Sequence, residues 1–306
     1  MSKVIIGIHG LNNKPAEAVL ANWWLKAIKE GLTRNCPDLA AGDVMSAFEF
    51  KLAYWASEMY GSPIKEGEEL EPYSPAEGVG PLPSGEHGIE NLLAHIRAGL
   101  VKGGETAAAA VARKAVDDAI AGKAPDVSRY RSDFGKRKAV QDGLVTLLKN
   151  AHDKGQEVML IGHSMGSFIA YDVLANRDDL PREQKITHFV TLGSPLGLHE
   201  VKAIVNHELR VNSENELEEG EEKDLRVPHC VSRWSNFADP YDRVARWDTD
   251  LSTDYHKNSS GVKVSDHLVC NTYVIGSGES RKENHHKIYG YLRTPEMSKA
   301  IADFAQ

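Results

Sequence analysis

The stretch Val158-Met159-Leu160-Ile161-Gly162-His163-Ser164-Met165-Gly166-Ser167 decides how the rest of the chain is read. Its leading apolar residues suit a buried strand, and Ser167-Phe168-Ile169-Ala170-Tyr171-Asp172-Val173-Leu174 takes up a helical period directly afterwards. Between them lies a Gly-x-Ser-x-Gly turn. In a strand, turn, helix setting that pattern seats a serine on a strained elbow, with its hydroxyl above the sheet. Gly162 and Gly166 keep side chains out of the cramped space where strand end and helix start converge. Ser164 is the expected nucleophile; the plain alternative is a Gly/Ser turn joining a strand to a helix.

Working outward, Val4-Ile5-Ile6-Gly7-Ile8 reads as a buried strand ending in His9-Gly10-Leu11-Asn12-Asn13. A helix is expected over about 15–31, with Trp23, Trp24, Leu25 and Ile28 on its apolar side, then a strand over 48–56. Residues 134–152 form an amphipathic pattern striped by Val140, Leu144, Leu147 and Leu148. Beyond the elbow helix, strands are expected over 186–192, 231–238 and 271–275, and a closing helix begins near Pro295. Helices alternating with short apolar strands predict an α/β fold: a mostly parallel central sheet with helices on both faces.

Residues 57–133 break this alternation. An irregular run rich in Pro and Glu gives way to two helical patterns, 89–101 and 105–121, with no strand between them. The expectation is a single domain over 1–306 with 57–133 inserted as a helical cap or lid; the alternative is a helical decoration away from the site. Residues 206–224 are acidic and poor in apolar side chains, as in a solvated loop.

With 36 basic and 44 acidic residues among 306, the chain carries a formal charge of -8 and no basic footprint for nucleic acid. Cys36, Cys230 and Cys270 form no C-x-x-C pair, so neither a disulfide framework nor a thiolate zinc site is expected. His256 near Asp254 and His267 beside Asp266 lack the spacing of a metal site, and no metal or cofactor is expected. Met1-Ser2-Lys3 runs straight into a strand without a signal-peptide core, and no apolar run approaches about 18 residues, so a cytoplasmic chain without a transmembrane segment is expected. Nothing in the composition bears on oligomeric state.

A serine hydroxyl is a weak nucleophile near neutral pH, so it requires an imidazole to take its proton and a carboxylate to orient that imidazole. Asp242 and Asp239 follow the 231–238 strand, and the adjacent His285 and His286 follow the 271–275 strand. Adjacent side chains in a loop point different ways, so one histidine alone can meet the serine. Asp239, opening an Asp-Pro turn, is equally suited to bonding its local backbone. On the residues alone Asp242 and Asp239 remain alternatives for the acid, and His286 and His285 for the base.

These pieces resemble the α/β-hydrolase superfamily along nearly the whole chain, as a lipase- or esterase-like serine hydrolase. The resemblance is carried by His9-Gly10 after the first strand, Gly162 to Gly166, Gly193-Ser194-Pro195, Asp242-Arg243-Val244 and the late His286. The turn Asp239-Pro240-Tyr241-Asp242-Arg243-Val244-Ala245 is similar to the acid-bearing Pro-Phe-Asp-Pro-Val-Ala turn of DDHD-type phospholipases, with Arg243 where that family has proline, and this similarity implies Asp242 as the triad carboxylate with Asp239 as the alternate. His286-Lys287-Ile288-Tyr289 resembles the His-x-x-Tyr turn of lipase-like hydrolases, which implies His286 as the base with His285 as the alternate. The resemblance implies an oxyanion hole built from the backbone N–H groups of Leu11 and Met165.

The expected activity is cleavage of a carboxylic ester, of a small molecule or a lipid, through a Ser-His-Asp triad and an acyl-enzyme. Trp23, Trp24, Tyr54 and Trp55 suit an apolar acyl pocket or, equally, a core. Two other readings stand beside it: a hydrolase-like protein that binds a ligand or partner without turnover, and an acyltransferase using the same triad.

Overall fold

The computed structural model describes residues 2–65, 67–68, 72–78, 80–84, 125–181, 183–198, 201–202, 204–205, 225–246, 249–276 and 281–306. Strand alternation assigns each apolar residue to one face of the sheet. In β1 (Lys3–Ile8), Val4, Ile6 and Ile8 face one core while Ile5 faces another. In β3 (Glu157–His163), Val158 and Leu160 join the first core, Met159 and Ile161 the second. Both faces are covered, so the interiors of these strands, Val4 to Ile8 and Val158 to Gly162, carry no alternating polar residues.

Six parallel strands make the sheet, in the order β2-β1-β3-β4-β5-β6, with β2 at Glu49–Ala53, β4 at His188–Leu192, β5 at Trp234–Ala238 and β6 at Val264–Leu268. From β1 the chain steps outward to β2 through α1 (Glu17–Asn35), then returns to the far side of β1 to form β3. Right-handed crossovers running in opposite directions put their helices on opposite faces. Accordingly α1 lies with the second core, while α5 (Phe134–Asp153) and α6 (Met165–Asn176) lie with the first. A short α2 (Ala41–Ser46) follows α1, and α7 (Ile288–Leu292) and α8 (Pro295–Ala305) pack back onto α1.

The expected sheet is present, with one strand moved. Only Val274–Ile275 of the 271–275 run is extended; as β7 it pairs antiparallel with β8 (Lys282–Glu283), outside the main sheet. The sixth main strand is β6, whose sequence Val-Ser-Asp-His-Leu has no apolar run because it is an edge strand with half-exposed side chains. Trp24 and Trp55 are fully enclosed core residues, which removes them from any acyl pocket.

The described residues at both ends of the 57–133 segment are built into the body. At the leaving end, α3 (Ala56–Tyr60) buries Ala56 and Met59. At the returning end, α4 (Pro125–Ser132) packs on α5 through Tyr130, whose hydroxyl donates to Asp172 Oδ2 at 2.6 Å. Buried Asp172 also accepts from Arg137, Gln141 and Asn176, so a polar network adds to the apolar packing of Tyr130 and Val127 in docking α4. Residues 72–78 and 80–84 lie along α1, where Arg34 donates to the carbonyls of Ala76, Glu77 and Gly80 and Tyr73 donates to Glu30. The helical patterns at 89–101 and 105–121 and the acidic run 206–224 lie outside the described residues.

Candidate active site

Every element that matters ends at the carboxyl edge of the sheet. Because β2 and β3 leave β1 on opposite sides, the loops after β1 and β3 diverge and open a crevice, the usual ligand position in an open parallel sheet. Ser164 sits there, between β3 and α6. Its φ of 52° and ψ of −129° belong to a region sparsely used by side-chain-bearing residues, at a cost of about 1–3 kcal/mol. The surroundings hold that strain in place: the Ser164 N–H donates to the Leu192 carbonyl at 3.0 Å, and the Ser164 carbonyl accepts from Ser167 N–H at 2.9 Å and Ser167 Oγ at 2.6 Å. Ser194 Oγ lies 2.7 Å from Ser167 Oγ, tying the elbow to the loop after β4. A Cβ on Gly166 would stand 2.3 Å from the Ile8 carbonyl oxygen, so the helix start closes against β1 only because that residue is glycine.

His286 Nε2 lies 3.0 Å from Ser164 Oγ, and its Nδ1 lies 2.9 and 2.8 Å from the Asp242 oxygens. With a carboxylate facing Nδ1, that nitrogen carries the proton and Nε2 is free to accept one. Asp242 is wholly buried, which raises its pKa. That effect is outweighed by the His286 charge and by hydrogen bonds from His286, Tyr291 and the Val244 amide, and the net shift is downward. Asp239 and His285 form a separate pair at 3.2 Å, and Asp239 also accepts the Tyr241 N–H at 2.7 Å and the Asn271 N–H at 2.6 Å. The hydrogen bond that His285 donates to the Asp239 carboxylate raises the pKa of His285 against the opposing effect of burial.

Tyr291 connects the two acids. Its hydroxyl donates to Asp242 Oδ2 at 2.6 Å and accepts the Asp239 N–H at 3.1 Å. Burial, then the Asp242 charge, keeps this phenol well above its ordinary pKa, so it remains a donor. The sequence pointed two residues short of it: Tyr289 instead packs against Trp23, Tyr73 and Tyr273.

The histidine loop is held carbonyl by carbonyl. Asn271 Nδ2 donates to the carbonyls of His285 at 2.8 Å and Lys287 at 2.9 Å, and His163 Nε2 bonds the His286 carbonyl at 2.8 Å. Burial, followed by the nearby His286 charge, pushes the His163 pKa well down, which keeps it a neutral N–H donor beside the site. Asn271 gave no motif signal; its function comes from a side-chain amide that spans two carbonyls brought together by the fold.

Beside Ser164 runs the loop after β1. A Cβ on Gly10 would approach Ser164 Cβ to 2.9 Å. His9, deeply buried, accepts the Trp55 and Ala56 N–H groups at Nε2 (3.2 and 3.3 Å), so its Nδ1–H donates to the Gly10 carbonyl at 2.8 Å. Desolvation and then the charge of Lys14 hold this imidazole neutral by pushing its pKa well down. In a trans peptide C=O and N–H point opposite ways, so fixing the Gly10 carbonyl also fixes the Leu11 N–H. Among the described residues, neither the Leu11 nor the Met165 N–H has an acceptor. The Met165 amide opens α6, where the aligned backbone dipoles favour negative charge.

His188 Nε2 lies 2.9 Å from Ser235 Oγ, away from this cluster. His267 stacks on Phe237 and bonds Ser265, and Asp266 accepts from Leu251, Ser252 and Asn236.

Residues 137–238, which run from α5 through the elbow to the end of β5, match the family model described as PGAP1-like alpha/beta domain, a hydrolase-fold family. No curated protein matches the chain. With its parallel sheet flanked by helices, the protein has the α/β-hydrolase architecture, and the match supports a hydrolase-like function. Among the described residues no helix is long and apolar enough to cross a membrane.

Proposed function

We propose that the protein is a serine hydrolase that cleaves a carboxylic ester of a small molecule or lipid. The observation that carries this reading is the unbroken hydrogen-bond line Ser164 Oγ, His286, Asp242 at the switch point of the sheet. In this mechanism Ser164 Oγ attacks the ester carbonyl as its proton passes to His286 Nε2, and the Leu11 and Met165 amides take the charge that develops on the carbonyl oxygen. The C–O bond to the leaving alcohol breaks as His286 returns the proton to it. Water then repeats the sequence on the acyl-enzyme and restores Ser164. Asp242 keeps the imidazole in the Nδ1–H tautomer and stabilises its charged form; none of these steps uses a cofactor. A cytoplasmic setting belongs to this reading, supported by three unpaired cysteines.

Hydrolysis of p-nitrophenyl esters of increasing chain length, with fluorophosphonate labelling, tests the proposal. Ser164→Ala is expected to abolish both signals. Persistence of both in that variant would sink it.

A further inference from the structure

We propose that Asp126 is the positioning residue for the oxyanion loop, and that through it both ends of the 57–133 insertion are fastened to the Leu11 peptide. Asp126 is 1% exposed at the start of α4. Its Oδ2 accepts the Asn12 N–H at 2.8 Å, and its Oδ1 accepts the hydroxyl of Tyr60, the last residue of α3. One carboxylate therefore joins the point where the insertion leaves the body, the point where it returns, and the loop beside Ser164.

The loop needs such a tie. Asn12 has a φ of 70°, a left-handed conformation that asparagine tolerates better than most residues but that still requires outside support. The Leu11–Asn12 peptide is gripped at both ends: its N–H by Asp126, its carbonyl by Lys14 Nζ. The preceding Gly10–Leu11 peptide is gripped at its carbonyl by His9. The Leu11 N–H lies in the first plane, and holding the second plane fixes how that first plane is set about the Leu11 Cα. Removing Asp126 releases the N–H end of the second plane, leaving only the Lys14 contact at its carbonyl, and leaves Ser164, His286 and Asp242 untouched, since Asp126 bonds none of them.

The catalytic part of the inference rests on the serine-hydrolase reading; the structural part does not. Hydrogen exchange across residues 9–14 reads the clamp without turnover, and ester hydrolysis reads its consequence. In Asp126→Ala we expect faster exchange confined to that segment and its neighbours. We also expect kcat to fall about 10–100-fold, short of the 10²–10³ that loss of a whole oxyanion donor costs, with KM within about threefold and the acid limb of kcat/KM unmoved. Asp126→Asn, whose oxygen can still accept from Asn12 while its amide donates to Tyr60, should restore kcat to within a few-fold of the parent. If Asp126→Ala does not fold, Tyr60→Phe removes one anchor and should give a smaller rise in exchange. Unchanged exchange in these variants overturns the clamp, and faster exchange with unchanged kcat overturns its link to catalysis. A parent protein inert to esters and fluorophosphonate defeats the serine-hydrolase reading, while the exchange result still decides the clamp.

Discussion

Asp242→Asn is the substitution whose consequence the geometry specifies most fully. Asp242 Oδ1 accepts from the Val244 N–H at 2.8 Å, so an asparagine must keep its oxygen there; turning its amide nitrogen to that side would set two donors against each other. The amide nitrogen then occupies the Oδ2 position, 2.6 Å from the Tyr291 oxygen and 2.8 Å from His286 Nδ1. Tyr291 oxygen can accept it, but the amide N–H also faces His286 Nδ1 and opposes a proton there, even though the retained oxygen lies 2.9 Å from Nδ1 and is already shared with the Val244 N–H. The imidazole is biased toward the Nε2–H tautomer, which presents a donor to Ser164 where the proposed mechanism requires a base. The expected loss is about 10³–10⁴ in kcat, or roughly 4–5.5 kcal/mol of transition-state stabilisation, with the fold intact. Asp239→Asn is the matched control: it faces His285 and two backbone amides, so it should lower stability by about 1–3 kcal/mol and leave kcat within about tenfold. Steady-state hydrolysis of a p-nitrophenyl ester by both variants, with urea unfolding to read stability, gives the comparison. A kcat for Asp242→Asn above a tenth of the parent value, or an equal loss in Asp239→Asn, would refute the reasoning.

Two further outcomes follow from the same geometry. Gly193→Ala forces a Cβ to 2.6 Å from Asp242 Oδ2 and 3.2 Å from His286 Nδ1 at a φ of +53°; kcat should drop more than about tenfold and stability by at least the roughly 1–2 kcal/mol of the left-handed backbone, and an unaltered kcat would contradict the packing at the acid. Burial, helped by the Arg233 and His267 charges, pushes His188 down from its ordinary 6.5 to about 3. Between those values the unfolded chain binds a proton that the folded protein refuses, so stability falls as pH drops, by about 1.4 kcal/mol per pH unit for this group. His188→Gln should make the loss between pH 6 and pH 4 shallower by about that slope in urea unfolding, and an unchanged slope would count against the assignment.

The α/β-hydrolase sheet was readable from β1 and β3 because the interiors of strands covered on both faces carry no alternating polar residues. β6 escaped for the opposite reason: at a half-exposed edge, Ser265, Asp266 and His267 meet the same backbone requirement without an apolar signal. Ser164 was readable because an elbow is local, and its glycines are dictated by distances within a few residues. Asp126, Asn271 and Tyr291 were not, since each acts through hydrogen bonds to partners far away in the chain, and an aspartate, asparagine or tyrosine is the same letter with or without such a partner.

The sequence by itself determined the elbow, the order of acid and histidine behind it, and the layered parallel architecture, because these depend on local backbone sterics and on the periodicity of burial. It left open which of two aspartates meets which of two histidines. Tertiary structure paired them, Asp242 with His286 and Asp239 with His285, because three residues of turn and one residue of loop turn adjacent side chains to different faces. Only the assembled sheet edge, bringing β5, the Asn271 loop and α7 together around buried charge, decides which pair points at Ser164.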